Sequence, residues 1–268
     1  QLQVTPSVNT QRTALRTYST NSVLASGSWF RIATTQQGVH KMTYQFLKDL
    51  GIDVDNIDPR RLRIYGNGGG QLPFNNSKFR YDDLQENAIL VQGENDGVFD
   101  NTDFVLFFAT AQTRWKYDGT GETFSHQLNG YSDSTYYFIT TDLGSGKRIQ
   151  HLAEASGTPN QTVSTYNDYQ FIESELVNLL KSGREWYGES LDNLNSSRSY
   201  NFSFPNLVTS EQATFRANMI ARAVNGSSTT NRVSASLSGI SPIVTYFNNV
   251  GTSPQDNYAL PISFNQAF

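Results

Sequence analysis

The run Glu94-Asn-Asp-Gly-Val-Phe-Asp-Asn-Thr-Asp103 sets four acidic side chains around a glycine. Calcium takes hard oxygen donors from a compact loop that turns sharply at such a residue. With Gly97 at the sixth position of a calcium loop, Glu94, Asp96, Asp100 and Asp103 fall at ligand positions. Gln92 would then hold the first position, and the last would carry Asp103 where glutamate is usual. The same residues also read as an Asp-Gly turn between two strands. Both readings stand, and calcium is the cofactor to which these residues point.

Two aromatic pairs, Trp115 with Tyr117 and Trp186 with Tyr187, have the side-chain types that stack on sugar rings or meet a partner. Burial in a core or an interface uses the same types. Gly66-Asn-Gly-Gly-Gly70 invites a phosphate-cradle reading, which needs backbone amides at a helix start. Gln71-Leu-Pro73 follows and opens no helix, so the run reads as a glycine-rich turn after a strand. Gly144-Ser-Gly-Lys-Arg148 ends like a phosphate loop. Thr141 stands where its leading glycine belongs, and Arg148 where Ser or Thr would hold magnesium. No G-x-S-x-G elbow and no H-E-x-x-H pattern occurs. Asp82, Asp83 and Glu86 read as a solvated face, although two acids distant in sequence could still form a hydrolytic pair.

The chain has 268 residues, no cysteine and three histidines, His40, His126 and His151. That excludes disulfides, thiolate metal sites, iron–sulfur clusters and a cysteine nucleophile within this chain, and argues against zinc. Net charge is −4 with no basic stripe, which argues against a nucleic-acid partner. Charged residues are 16% and aromatic residues 13%, so polarity comes from Ser, Thr, Asn and Gln. That mix suits twisted sheets of exported surface proteins. The apolar run Phe104–Ala109 is far too short to span a membrane as a helix. Gln1 opens the chain and Ala259–Phe268 closes it in an apolar, strand-like stretch, so we expect an exported product cut from a longer protein.

The elements that must position these residues are mostly strands. After an irregular lead-in, with a strand near Thr13–Tyr18, Trp29–Thr35 alternates with Phe30 and Ile32 on one face. Thr43 caps a short helix whose face is Phe46, Leu47 and Leu50, and Gly51 ends it. Strands are expected at 61–65, 88–91, 104–109 and 136–141. Residues 153–168 read as a linker, and 171–180 fits helix and strand equally. Beyond it the chain reads as all-β. Residues 213–223 and 233–237 alternate, and Asn225-Gly226 begins the turn between them. The expected fold is mainly β. A first domain, 1–160, would be a β-barrel or sandwich with one short helix. A second, 161–268, would be a β-sandwich, truncated at its end.

Several segments in order resemble one family. They are Trp29-Phe-Arg-Ile32, Gly38-Val-His-Lys-Met-Thr-Tyr44 and Phe46-Leu-Lys-Asp-Leu-Gly51. Asp58-Pro-Arg-Arg-Leu-Arg-Ile-Tyr-Gly-Asn-Gly-Gly-Gly70 and Asp82-Asp-Leu-Gln-Glu-Asn-Ala-Ile89 follow. Asp96-Gly-Val-Phe-Asp100, Asp103-Phe-Val-Leu-Phe-Phe108, Tyr131-Ser-Asp133 and Tyr136-Tyr-Phe138 complete the set. Together they resemble the N-terminal, non-catalytic region of the type IX secretion sortases, gingipain-like cysteine peptidases of Bacteroidetes. The match is dense over 28–150 and looser beyond, where Glu185-Trp-Tyr-Gly-Glu189 still fits.

The resemblance implies an exported protein at the outer-membrane cell surface, held by a β-barrel partner. Its later peptidase domain would remove C-terminal sorting domains from cargo. The family's catalytic Cys and His belong to that later domain, and no position here matches them. The resemblance therefore implies a scaffold, or a docking or prosegment-like module for the downstream peptidase domain, and not an enzyme, in this fragment. The rival reading from composition is a surface carbohydrate-binding or adhesion module.

Overall fold

The computed structural model describes residues 18–120, 123–152, 157–158, 161–183, 185–224 and 231–268. The expected strand near Thr13–Tyr18 lies outside them except for Tyr18, as does the Asn225-Gly226 turn. Among the described residues, nine strands precede residue 150: β1 (Phe30–Thr34), β2 (Gly38–Thr43), β3 (Arg63–Tyr65), β4 (Glu86–Asn87), β5 (Leu90–Gln92), β6 (Phe104–Ala109), β7 (Arg114–Asp118), β8 (Thr123–Gln127) and β9 (Thr135–Thr140). Helix α1 (Tyr44–Asp49) follows β2. Four strands come later: β10 (Thr214–Ala221), β11 (Asn231–Ala235), β12 (Ile243–Phe247) and β13 (Leu260–Ala267). The fold is mainly β, and the chain divides into two compact units, Gln1–Asn160 and Gln161–Phe268.

In the first unit, one antiparallel sheet runs β1-β9-β3-β4 and another runs β2-β6-β5. The β7–β8 hairpin stands as a pair of its own. Among the described residues no sheet closes on itself, so the first unit is layered and the barrel alternative is not realised. Strand β6 explains the arrangement. Its Val105, Phe107 and Ala109 point inward and are buried, whereas Phe108 points outward beside Val39. As the central strand of three, β6 has both edges paired, and only its inner face is fully buried. Its inner side chains join Met42, Leu47, Leu62, Ile64, Ile89 and Ile139 in one core. Phe107 meets the Tyr137 ring edge to face at 5.2 Å.

Helix α1 begins as expected. The Thr43 hydroxyl accepts from Phe46 N at 3.2 Å, and Gly51 follows the C-cap with φ +97°. Its buried face differs from the expected one. Leu47 is fully buried and Leu50 half-buried, but Phe46 is exposed. The helix has six residues, and its Leu47 side fills the contact with the core. Thr43→Ala removes the cap without touching that core. We expect it to lower unfolding free energy by about 1 kcal/mol, read from a urea melt.

In the second unit, β10 pairs with β13 over eight positions, from Thr214↔Ala267 to Ala221↔Leu260. Strand β11 pairs with β12 instead. The expected hairpin between the two alternating segments is therefore not formed among the described residues. The eight-residue β13 matches the eight-residue β10, whereas β11 has five. Ile262, Phe264 and Val250 are buried here. Residues 171–180 form neither helix nor strand, and a lone bridge joins Val177 to Tyr187.

Candidate functional site

The carboxylate run sits on a tight turn between β5 and β6. Gly93 and Gly97 flank a 3-10 turn, Glu94–Asp96, both in the left-handed region at φ +93° and +80°. At Gly93 the conformation and the space agree. An added Cβ would stand 1.6 Å from Oδ1 of buried Asp103. Each carboxylate has a protein donor. Asp103 Oδ2 accepts from Asp100 N at 3.0 Å, and Asp96 Oδ1 accepts from Val98 N at 3.0 Å. Asp100 Oδ1 accepts from the Thr102 hydroxyl at 2.7 Å and from Thr102 N at 2.8 Å. Those bonds hold the Asp100 carboxyl below its usual range, hydroxyl first and amide second. Glu94 Oε2 accepts from Arg148 Nε at 2.7 Å.

Among the described residues, no three His, Cys, Asp or Glu gather to hold a metal ion. With its carboxylates engaged in this way, the loop predicts one melting temperature in calcium and in chelator. A rise with calcium would show instead that Glu94, Asp96, Asp100 and Asp103 rearrange around the ion.

Arg148 was a misfit in a phosphate-loop pattern, and the structure gives it another task. Its Nη2 donates to the carbonyls of Pro59 at 3.0 Å and Arg60 at 2.9 Å. Its Nη1 donates to Leu62 O at 3.2 Å and Lys147 O at 3.3 Å. The planar guanidinium thus satisfies a 3-10 turn (Pro59–Arg61) and the Glu94 carboxylate together. Arg63 acts beside it. Its Nε donates to Gly144 O at 3.2 Å, and its Nη1 stands 3.5 Å from Glu86 Oε2. Glu86 Oε1 accepts from Lys147 N at 2.7 Å. The segment 144–148 is therefore a clamped crossover whose amide and carbonyl groups face protein.

The other glycine run is equally occupied. Gly69 N donates to the Thr110 hydroxyl at 2.7 Å, and Gly70 N to Gln112 Oε1 at 2.9 Å. Gly69 O accepts from Arg114 Nη2 at 2.6 Å and Nε at 2.9 Å. These amides cradle neighbouring chain, as the turn reading requires.

The four aromatic residues fall in two places. Trp115 and Tyr117 lie on β7. Trp115 meets His126 of β8 at 5.0 Å and 47°, and Tyr117 meets Phe124 at 5.0 Å and 43°. Both cross-strand pairs are tilted. Trp186 is exposed and Tyr187 half-buried. Tyr187 N and O bond Val177 O and N at 2.9 Å, and its hydroxyl donates to Glu185 Oε2 at 3.3 Å. Burial, then the Glu185 charge, pushes the Tyr187 phenol up. Glu185 and Tyr187 border a shallow cavity with Leu179, Leu180, Ile220 and Tyr258. Sequence reasoning had no local signal for Arg63 or Arg148 as anchors, because their partners are backbone carbonyls and acids elsewhere in the chain.

No family model and no curated protein matches the sequence. Among solved structures, the crystal structure of dimeric latent PorU from Porphyromonas gingivalis matches with a TM-score of 0.62 and 23% identity. The match covers 92% of this chain and 22% of that chain. The chain is similar to PorU in fold. It spans about a fifth of the PorU chain it matches. At that identity the likeness concerns the fold and leaves the chemistry to be argued separately. Among the described residues no helix is long and apolar enough to cross a membrane.

Proposed function

We propose that this chain is the non-catalytic N-terminal region of a type IX secretion sortase of the gingipain-like kind. It acts as a scaffold and docking module for a downstream peptidase domain. The observation that carries the reading is the fold likeness to PorU over 92% of this chain and 22% of the other. The absence of cysteine agrees with it, because a cysteine peptidase must place its nucleophile elsewhere. The clamped first unit suits a scaffold: its glycine runs and arginines hold chain to chain. In this reading the parent protein resides at the outer-membrane surface. Its partners are an outer-membrane β-barrel protein and the C-terminal sorting domains of cargo, and this fragment catalyses nothing by itself.

The test is to produce the fragment and the downstream domain as separate chains. They are expected to co-elute on size exclusion and to restore the behaviour of the linked protein. If they associate neither separately nor when linked, the docking reading falls.

A further inference from the structure

Among the described residues of the stretch 161–208, none lies in a strand or helix of more than a lone bridge. Many of its large apolar side chains face water. Tyr166 is 83% exposed and Leu194 93%, and Leu176, Leu180, Phe202 and Leu207 are also exposed. Soluble chains seldom leave so much apolar surface open along one segment. A connecting segment of this kind is ordinarily polar and short. Its bonds include the Val177–Tyr187 bridge, Ser203 N donating to Gln170 Oε1 at 3.2 Å, the Tyr200 hydroxyl donating to Glu189 Oε2 at 3.0 Å, and Asp192 Oδ1 accepting from Leu194 N and Asn195 N. The stretch is also acidic. Asp168, Glu173, Glu175, Glu185, Glu189 and Asp192 outnumber Lys181, Arg184 and Arg198.

The fold comparison adds a second observation. A match over 92% of the chain leaves too few residues unmatched to omit this stretch. The match is one of overall fold, at 23% identity. A surface outside the segment can cover the apolar side chains that its local turns leave in water. In the PorU chain, 78% of the polypeptide lies beyond the matched part, since the match covers 22%.

Resting on the function proposed above, we infer that residues 161–208 are a strap lying across a second folded domain of the parent polypeptide. That domain presents an apolar, net basic surface. The apolar side chains supply the buried contact, and the surplus of acids selects the sign of the surface and orients the approach.

Hydrogen–deuterium exchange on the 268-residue chain and on the full-length parent tests this. The strap amides should exchange at least about tenfold more slowly in the parent, while β6 amides exchange alike in both. Equal strap exchange in the two proteins overturns the inference, as does a strap already protected in the shorter chain. A second arm uses Tyr166→Asp with Leu194→Asp. The melting temperature of the 268-residue chain should not move, because both side chains are in water there. Affinity for the separately produced downstream domain should fall about tenfold or more. Glu173→Lys with Glu175→Lys should weaken binding too; stronger binding would overturn the basic partner. If fragment and domain never associate, the proposed function itself fails. If they associate while the strap stays unprotected, this inference alone fails.

Discussion

Arg148→Met is expected to lower the unfolding free energy of the first unit by about 3 kcal/mol. The substitution keeps an apolar stem of similar length and removes the guanidinium. It takes a donor from the carbonyls of Pro59, Arg60 and Leu62, which accept from it at 3.0, 2.9 and 3.2 Å, and leaves Pro59 O with Leu62 N at 3.1 Å and Arg60 O with Gly146 N at 3.0 Å. It also leaves Glu94 without its 2.7 Å partner, at a place where the two side chains are 19% and 23% exposed. A fully exposed pair would contribute less than about 1 kcal/mol, so most of the loss comes from unpaired groups that cannot all reach water. Arg148→Lys separates charge from shape. A single ammonium can meet Glu94 but cannot also serve a fan of carbonyls, so we expect it to recover less than half of the loss. Urea denaturation followed by Trp29 fluorescence is suitable, since Trp29 packs on Tyr65 within the same unit at 5.3 Å. A change below about 0.5 kcal/mol for Arg148→Met would mean that the clamp is dispensable.

Gly69→Ala should be comparably damaging by a different route. A methyl group there would stand 2.0 Å from Ala111 O, 2.5 Å from Ala111 C and 2.6 Å from the Thr135 hydroxyl. Backbone atoms cannot swing aside as a side-chain tip can. Relief would have to come from parting the 66–70 run from the 110–114 segment, which breaks the bonds of Gly69 to Thr110 and Arg114. We expect a loss of about 3 kcal/mol, near the upper end for overpacking. Gly119→Ala is the control. Its nearest contact would be an ordinary 3.6 Å to the Tyr117 ring, and it should be nearly silent. If the two variants melt together, the glycine run is a loose turn and the close approach is not structural.

Sequence patterns were informative wherever an element's neighbours are the same along its length. Strand β6 buries Val105, Phe107 and Ala109 on one face and leaves Phe108 exposed on the other, and its ends fall at Phe104 and Ala109 as the pattern predicts. Strand β1 alternates because one face is wet, with Phe30 and Ile32 half-buried and Arg31 exposed. The patterns failed where long-range partners decide. Strands β7 and β8 hold Arg114, Lys116, Ser125 and His126, and nothing in so mixed a run announces a hairpin. Strand β10 reads as half of a hairpin with the next alternating segment, yet its register is with Leu260–Ala267. Phe46 has the spacing of a core residue but lies on the solvent side of a helix too short to bury more than one side. At the site, Gly97 is legible from its place in the acidic run. The role of Arg148 is not, since it exists only once residues 59–62 and 94 have been brought beside it.

The pairing of β1 with β9 has a kinetic consequence. Phe30 lies opposite Ile139, and Thr34 opposite Thr135. A strand made near the start of the unit must wait for one made near its end, whether the chain leaves a ribosome or threads a membrane. During that wait Phe104–Ala109 is already present, with Gly38–Thr43 and Leu90–Gln92 available to pair with it. The β2-β6-β5 sheet can thus assemble first and shield its apolar run. The β1-β9-β3-β4 sheet then closes late, with the larger loop-closure entropy. Refolding of this unit should therefore be slow for its size, and its vulnerable species is a half-built sandwich awaiting its ninth strand.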